Sequence, residues 1–376
     1  GLHASECHKL IQTLHRLRDQ GNTIVAVEHN EAVMQSADYL IDMGPGAGRQ
    51  GGHVCAAGTP KEIMASAESL SGAYLSGQRQ LPIPKDRRSA EKWIQIEHAT
   101  QKNLKKINIA FPVGCITAVT GVSGSGKSAL TCDLLYEAAA RLLNGKEARL
   151  PLSCSCITGL DAFDKVFLID QSPLARNPQS PPATYLDLFP LVRDVFAGAT
   201  LSRERGYNAR RFSFNAKGGR CEACQGEGFR CIHLQFLPDI YIPCDVCHGA
   251  RYNKETLEAR FKGLNIAEVL ELSAADALDV FRNHSAIARK LQALVDVGLG
   301  YVKLGQPSHT LSGGECQRIK IAAELSKIST GRSLYILDEP TIGLHFKDAE
   351  ILLKTLNRLC DEGNTIVLVE QSLSFI

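Results

Sequence analysis

The chain has 376 residues, of which 44% are hydrophobic and 22% are charged, a composition that excludes an intrinsically disordered protein. Its 42 lysine and arginine residues nearly balance its 40 aspartate and glutamate residues, which gives a net charge of +2. Any acidic partner must therefore be attracted by local basic patches and not by the charge of the whole protein. No stretch approaches the roughly 18 uninterrupted apolar residues that span a bilayer, and the 13 scattered cysteines are odd in number, which excludes an integral membrane protein and argues against a secreted disulfide framework.

The two ends of the chain carry the same segment. Residues 1–30 align without gaps on residues 343–372, with about half of the positions identical. Each copy reads as an amphipathic helix, a polar turn and an apolar β-branched strand, which falls at residues 23–27 in the first copy. The first copy starts, and the second copy stops, inside such a unit. We therefore expect this chain to be a piece of a longer protein with two related units.

The region between the copies begins like a nucleotide-binding α/β domain. Residues 77–90, with two prolines and a charged run, read as an interdomain linker. Alternating apolar residues from Trp93 to Ile109 then predict two strands, and residues 115–119 predict a third that runs into a glycine-rich turn. A long interruption, at about residues 135–300, contains clustered cysteines and separates this start from a second helix and buried strand.

The glycine-rich turn, residues 121–128, matches the pattern G-x-x-x-x-G-K-S between a strand and a helix-like run. Backbone N–H groups in such a turn wrap phosphates, while Lys127 is expected to reach the β and γ phosphates and Ser128 to bind Mg²⁺. A glycine-rich turn without function is the alternative. The predicted nucleotide-binding residues are Gly121, Gly124, Ser125, Gly126, Lys127 and Ser128.

Four cysteines form two C-x2-C pairs separated by nineteen residues, which is typical of a tetrahedral zinc site. The predicted ligands are Cys221, Cys224, Cys244 and Cys247. Because the protein then fills all four positions, the predicted Zn²⁺ is structural and not hydrolytic. The alternatives are a redox dithiol, or ligation through His233, His248 or Cys231.

Arginine and lysine residues interleaved with aromatic residues surround the cysteine pairs. Cationic groups suit phosphates, and aromatic rings can stack or wedge against bases, so this cluster predicts a nucleic-acid interface. The alternative is a solvated surface that zinc staples over a small aromatic core. The residues predicted to contact DNA are Arg205, Arg211, Lys217, Arg220 and Arg251.

Two further motifs follow the interruption. Ser312, Gly313 and Gly314, before a helical run, predict a second backbone nest for the γ phosphate. A buried strand then ends in Asp338, expected to hold Mg²⁺, and Glu339, expected to orient or deprotonate the attacking water. Taken alone, this strand end admits the alternative of a charged turn. Together with residues 121–128, the motifs form the pattern of an ABC-type ATPase.

The motifs in combination closely resemble the UvrA family. The most specific are RGYNARRFSFNAKGGRCEACQGEGF, FLPDIYIPCDVCHGARYN, TLSGGECQRIKIAAELSK and YILDEPTIGLH. The resemblance covers essentially the whole chain and implies an α/β fold, an ABC-type P-loop ATPase with an inserted zinc-binding signature subdomain. It divides the chain into the C-terminal part of a first ATPase unit, a linker and a second unit truncated at its C-terminus, at residues 1–76, 77–90 and 91–376. Within the second unit, the phosphate-binding loop is 121–128, the insertion is about 135–300, and the signature and Walker B motifs are 311–345.

The resemblance also implies a function. Family membership implies a cytoplasmic, homodimeric ATPase that uses ATP, Mg²⁺ and Zn²⁺, recognises distorted double-stranded DNA in bacterial nucleotide excision repair and hands the site to UvrB. It further implies that Gln171 couples the γ phosphate and Mg²⁺ to the signature subdomain.

One departure from the family pattern concerns Gln371, which stands where the first copy of the repeat has His29. Family members use this histidine to contact the γ phosphate. Glutamine can donate a hydrogen bond but cannot become a cation, so we expect slower or different hydrolysis at this site. The departure motivates an alternative function, a UvrA-like paralog that acts as a drug-resistance or regulatory ATPase without a role in damage repair.

Overall fold

The computed structural model describes residues 4–143, 153–174, 180–232, 240–327 and 330–376. The chain divides into two compact units. The first unit comprises Gly1–Gln171 and Lys327–Ile376, and the second comprises Ser172–Ser326. No helix among the described residues has the length and apolarity of a membrane span.

A four-stranded parallel sheet organises the first unit. Its strands, in spatial order, are Ile116–Val119, Thr365–Val369, Ser333–Asp338 and Lys165–Ile169. The two central strands are buried at almost every position, as expected when both faces of a parallel sheet are covered. Because the strands are parallel and in register at their ends, the residues that follow them meet along one edge of the sheet.

An antiparallel sheet and the helix after the glycine-rich turn pack into the same core. The strand Trp93–Ala99 lies between Ile107–Pro112 and Cys156–Thr158, which confirms the two strands predicted between Trp93 and Ile109. The helix starts as the π-helix Ala129–Tyr136 and continues as the α-helix Glu137–Leu143. Its leucines at 134 and 135 are fully buried with isoleucines of the antiparallel sheet.

The two copies of the repeat fold differently. The second copy forms the helix Phe346–Asp361 and the central strand Thr365–Val369. The first copy forms the helix Ala4–Asp19, but residues 23–27 are not a strand, and Val25 is 89% exposed. The predicted strand is therefore wrong in this structure. Among the described residues no strand pairs with this segment, and an unpaired segment cannot bury its apolar side chains or satisfy its backbone by itself.

The segment that follows the first copy of the repeat also belongs to the first unit. It contains the hairpin strands Leu40–Gly44 and His53–Gly58, and the helices Glu31–Ser36, Pro60–Ala65 and Leu70–Leu75. Residues 77–90, all of which the structure describes, contain neither helix nor strand. Two arginines of this segment bind the helix Phe346–Asp361: Arg79 lies 2.9 Å from Glu350, and Arg88 lies 2.6 Å from Asp361.

The second unit is helical around an aromatic core and carries a small hairpin, Phe229–Ile232 with Ile240–Pro243. Phe196, Phe212 and Phe281 are fully buried. The helices are Pro182–Tyr185, Phe189–Ala197, Thr200–Glu204, Lys254–Leu257, Ile266–Glu271, Ala274–Val280, Ser285–Asp296 and Gly313–Leu325. The last of these carries the signature motif. The implied boundaries of an insertion, about 135–300, stay a prediction.

Candidate functional site

The glycine-rich turn follows the edge strand Ile116–Val119 and has the shape of a phosphate cradle. Gly121, Gly124 and Gly126 adopt φ angles of 145°, 73° and 103°, which favour glycine. At Gly126 a Cβ atom would also come within 2.8 Å of Asn103 Oδ1. Residues 122–125 of the turn are exposed and lie just before the helix that begins with Ala129.

Lys127 places its charge inside this turn. The residue is only 8% exposed, and its Nζ donates hydrogen bonds to the carbonyl oxygens of Gly121 (2.8 Å) and Val122 (2.9 Å). An ammonium group inside a glycine-rich turn at a helix N-terminus suits an anionic phosphate chain. The residues of the turn therefore fit ATP.

Carboxylates gather beside the turn at the edge of the parallel sheet. Ser128, the last residue of the turn, lies close enough to Asp338 for its side chain to favour the ionised carboxyl group. The pKa of Asp338 is raised, first because burial desolvates the carboxylate and then because Glu339 and Asp170 place negative charge nearby. A hydroxyl and carboxylate oxygens are the ligands that Mg²⁺ prefers, and a cation there relieves the repulsion. These residues fit Mg²⁺.

Asp170 is a residue of this site that the motif analysis did not single out. It directly follows the strand Lys165–Ile169, which pairs in parallel with the strand that ends at Asp338. The available signal was a carboxylate directly after an apolar strand, the same signal that identified Asp338. Gln171 comes next in the chain and is exposed at the surface of the first unit.

Gln371 and Glu339 are brought together by neighbouring strands. Gln371 Nε2 donates a hydrogen bond to Glu339 Oε1, and Gln371 Oε1 is buried without a partner among the described residues. Glu339 has a φ of 48°, and its backbone N–H donates to the carbonyl oxygen of Val369 at 2.9 Å. The amide of Gln371 therefore fixes one orientation of the Glu339 carboxylate.

A cleft of about 600 Å³ lies next to this pair in the first unit. Its lining includes Gln371 and the repeat-equivalent His29 of the first copy. The same cleft holds Glu370 and its equivalent, Glu28. Corresponding positions of the two copies of the repeat thus line one cleft.

The signature motif belongs to the second unit. Ser312 caps the helix Gly313–Leu325: its Oγ accepts from the N–H of Glu315, and the Glu315 carboxylate accepts from the N–H of Ser312 at 2.8 Å. Tyr301 donates a further hydrogen bond to Glu315 at 2.6 Å. Gly313 and Gly314 form the first turn of the helix, where N–H groups have no intrahelical partner.

The four predicted zinc ligands form one cluster in the second unit. Their Sγ atoms all lie within 4.8 Å of one another, and Cys221, Cys224 and Cys244 are buried while Cys247 is partly buried. Four convergent, shielded thiols match the donor set of a structural Zn²⁺ site. The backbone N–H groups of Cys247 and Val246 lower the pKa of Cys244 to about 7, whereas burial raises the pKa of Cys224 and of Cys247.

Backbone geometry shapes both C-x2-C turns. The N–H of Gly226 donates to the carbonyl oxygen of Cys221, and the N–H of His248 donates to the carbonyl oxygen of Cys244. Each chain segment therefore folds back on its first cysteine. At Gly226 a Cβ atom would lie 1.8 Å from the carbonyl oxygen of Phe214. Of the alternative ligands, His248 and Cys231 are outside the four-cysteine cluster, and His233 lies outside the described residues.

The five predicted DNA-contacting residues have different environments. Lys217 is exposed, and Arg205 is also exposed and forms an ion pair with Glu258. Arg211 lies over the ring of Tyr207, with its guanidinium carbon 4.4 Å from the ring centroid. Arg220 pairs with Glu222 at 3.2 Å, so Arg205, Arg211 and Arg220 each contact another side chain.

Arg251 differs from the others because it is only 6% exposed. Its Nη2 donates to the carbonyl oxygen of Gly305 at 2.9 Å, and its guanidinium lies 5.2 Å from the ring centroid of Phe214. Burial lowers its pKa. Its backbone carbonyl accepts from the N–H of Cys221. This placement favours a role in holding the cysteine cluster within the second unit.

The chain is similar over its whole length to curated proteins, although it matches no protein-family model. It is 54% identical over 377 residues to UvrABC system protein A of Bacillus subtilis, covering all of this chain and 39% of the relative. The Thermus thermophilus protein of the same name is 54% identical over 378 residues, again over all of this chain and 40% of the relative. The chain therefore spans about two fifths of the length of these curated relatives.

A solved structure agrees with the sequence comparison. The crystal structure of UvrA2 from Deinococcus radiodurans matches with a TM-score of 0.93 and 45% sequence identity. The match covers 99% of this chain and 45% of that chain.

Proposed function

Because the chain belongs to the UvrA family, we propose that it is part of an ATPase that recognises damaged double-stranded DNA in nucleotide excision repair. The observation that carries the ATPase proposal is that the phosphate cradle and Asp338 stand at the carboxyl ends of strands of one parallel sheet, Ile116–Val119 and Ser333–Asp338, with Thr365–Val369 between them. A cradle and an acidic group at the same edge of a sheet are what a bound nucleotide and its Mg²⁺ require together.

Each residue of the nucleotide site has a proposed role. Lys127 exchanges its two carbonyl acceptors for phosphate oxygens, and Ser128 and Asp338 hold the metal. The Mg²⁺, when bound, neutralises charge on the phosphates. Glu339 orients or deprotonates the attacking water, and Gln371 holds the Glu339 carboxylate in place. Gln171 couples the γ phosphate and Mg²⁺ to the signature subdomain.

The signature motif, the basic residues and a partner protein also have proposed roles. The N–H groups beside Ser312, Gly313 and Gly314 bind the γ phosphate of a nucleotide held by another ATPase unit. The protein functions as a homodimer. Exposed and partly exposed basic residues, Lys217 above all, contact DNA phosphates, whereas the buried Arg251 holds the cysteine cluster. In the intact protein a UvrB-like partner receives the damaged site in the cytoplasm.

The hydrolytic role is tested by Glu339→Gln. We expect ATP turnover to fall about 100-fold or more, because the variant cannot deprotonate or orient water as a carboxylate does. Equilibrium binding of ATP should stay unchanged, since the cradle is intact. A variant that turns ATP over at the wild-type rate contradicts the assignment.

The DNA-binding role is tested by comparing a lesion-bearing or bent duplex with an intact duplex of the same sequence. We expect tighter binding to the distorted duplex and a steep loss of affinity for both as salt increases, because phosphate contacts release counterions. Equal affinities in every nucleotide state would exclude damage recognition.

The glutamine at position 371 supports a second candidate, a UvrA-like drug-resistance or regulatory ATPase without a repair role. Glutamine is neutral and stands where the first copy of the repeat has a histidine, so the two copies differ in the side chain offered at this position. Binding of a small intercalating compound by a chain that does not bind DNA would favour this candidate over the first.

A further inference from the structure

Glu370 is a buried carboxylate that the roles above do not use. It directly follows the central strand Thr365–Val369 and is only 2% exposed. Three donors reach it: Thr341 Oγ1 at 2.7 Å from Oε2, and the backbone N–H groups of Gln371 (2.7 Å) and Ser372 (2.9 Å) on Oε1. A buried carboxylate is costly unless hydrogen bonds satisfy it, and here both oxygens are bonded.

The three donors come from two different segments of the site. Thr341 belongs to the turn that begins at Glu339, since the N–H of Ile342 donates to the Glu339 carbonyl oxygen. Gln371 and Ser372 belong to the segment after the neighbouring strand. One carboxylate therefore fastens the segment that carries Glu339 to the segment that carries Gln371.

We propose that Glu370 is a positioning residue for ATP hydrolysis, which sets the place of the Gln371 amide against the Glu339 carboxylate. The Glu339 N–H ties the start of its turn to the Val369 carbonyl oxygen, and the Glu370 carboxylate adds a bond two residues further along that turn, at Thr341. Small errors in the placement of a reacting group cost large factors in rate, so this bond matters for turnover more than for nucleotide binding. The inference rests on the proposed ATPase function.

The repeat provides an internal control. Glu28 is the equivalent of Glu370 in the first copy, but it is exposed, and in the described part of the chain it makes none of these hydrogen bonds. Both glutamates follow the same apolar sequence pattern. A Glu28→Ala variant therefore removes the same side chain without disconnecting the two segments of the site.

The first experiment measures ATP turnover by the whole chain. Glu370→Ala should lower kcat about ten-fold with KM for ATP nearly unchanged, while Glu28→Ala should match the wild type. Thr341→Val, a milder change that removes one hydroxyl group, should lower kcat less, and Thr341→Ser should restore it. In a Gln371→Ala background, Glu370→Ala should cause no further loss, because residues that act as one unit are not additive.

The second experiment measures hydrogen exchange of the Gln371 and Ser372 amides without nucleotide. Both amides should exchange about ten-fold faster in Glu370→Ala than in the wild type and in Glu28→Ala. Unchanged exchange overturns the proposal, whether or not the chain hydrolyses ATP. Unchanged kcat, or full additivity with Gln371→Ala, also overturns it. A wild-type chain that neither binds nor hydrolyses ATP contradicts the proposed function itself, while the exchange rates still decide the positioning contact.

Discussion

Val27 and Val369 occupy equivalent positions in the two copies of the repeat, but Val27 is 90% exposed and Val369 is fully buried. Val369 pairs with Asp338 on one side and with Val119 on the other, at the centre of the parallel sheet. The same residue type in nearly the same local sequence thus has two environments. The difference comes from strands far away in the sequence.

Truncating these two valines should have unequal effects on stability. Val369→Ala leaves a cavity in the sheet and should lower the free energy of unfolding by about 2 kcal/mol. Val27→Ala removes atoms that are already in water and should change it by less than about 0.5 kcal/mol. Urea unfolding of both variants measures the difference. Equal losses would show that residues 23–27 are packed in solution.

The cysteine cluster should hold one zinc ion per chain. Cys244→Ser should abolish zinc binding and lower the melting temperature of the second unit, because metal binding to such a site contributes directly to folding. Cys231→Ser, which lies outside the cluster, is the control and should keep its zinc. Metal analysis of the purified variants measures this. Loss of zinc from the Cys231 variant would revive the alternative ligand set.

Lys217 and Arg251 should separate DNA contact from structural support. Lys217→Ala should weaken DNA binding at all sequences and reduce the slope of log affinity against log salt by about 1, without changing stability. Arg251→Met should instead lower the free energy of unfolding by about 1–3 kcal/mol, because it breaks the buried bond to the Gly305 carbonyl. Salt titrations and thermal unfolding distinguish them. A reversed pattern would place Arg251 at the DNA interface.

Asp338 should make stability depend on pH. Its pKa is raised by burial and by the neighbouring carboxylates, so the charged form is less favourable in the folded chain than in the unfolded chain. Its contribution to stability is therefore lost as pH rises above the ordinary aspartate pKa of about 4. Without Mg²⁺, the difference in melting temperature, Asp338→Asn minus wild type, should become more positive as the pH is raised from 4 to 7.

Magnesium provides the complementary measurement at this residue. Added Mg²⁺ should raise the melting temperature of the wild type more than that of Asp338→Asn, since a ligand stabilises only the state that binds it. A difference between the two proteins that does not vary with pH, together with an equal response to Mg²⁺, would exclude the metal site.

The parts of the fold that the sequence predicts correctly are those that local patterns determine. The strand before the glycine-rich turn, the strand that ends at Asp338 and the cluster of four cysteines all depend on residue types at short, fixed spacing. Residues 23–27 carry an equally clear strand pattern, but a strand also needs a neighbour, and the pattern does not report whether one is present.

The structure adds to the sequence-based predictions mainly in which side chains are buried and which of them pair. A basic residue near a zinc motif suggests phosphate contact, yet Arg251 is buried, because burial depends on what packs over a side chain. Asp170 and Glu370 each follow an apolar strand directly, and that position was a usable signal for both. The hydrogen bond between Gln371 and Glu339 could not be predicted from the sequence, because it depends on the register of two parallel strands.

Coupling between nucleotide and DNA is tested most directly by one titration. A lesion-bearing duplex is bound to the wild type and to Lys127→Ala, each with and without ATP and Mg²⁺. We expect ATP to change the affinity of the wild type for DNA by about five- to 100-fold, the usual range of coupling between two sites, and to leave the affinity of Lys127→Ala unchanged. The same affinity for the wild type in both conditions, or the same response in both proteins, would contradict the proposal.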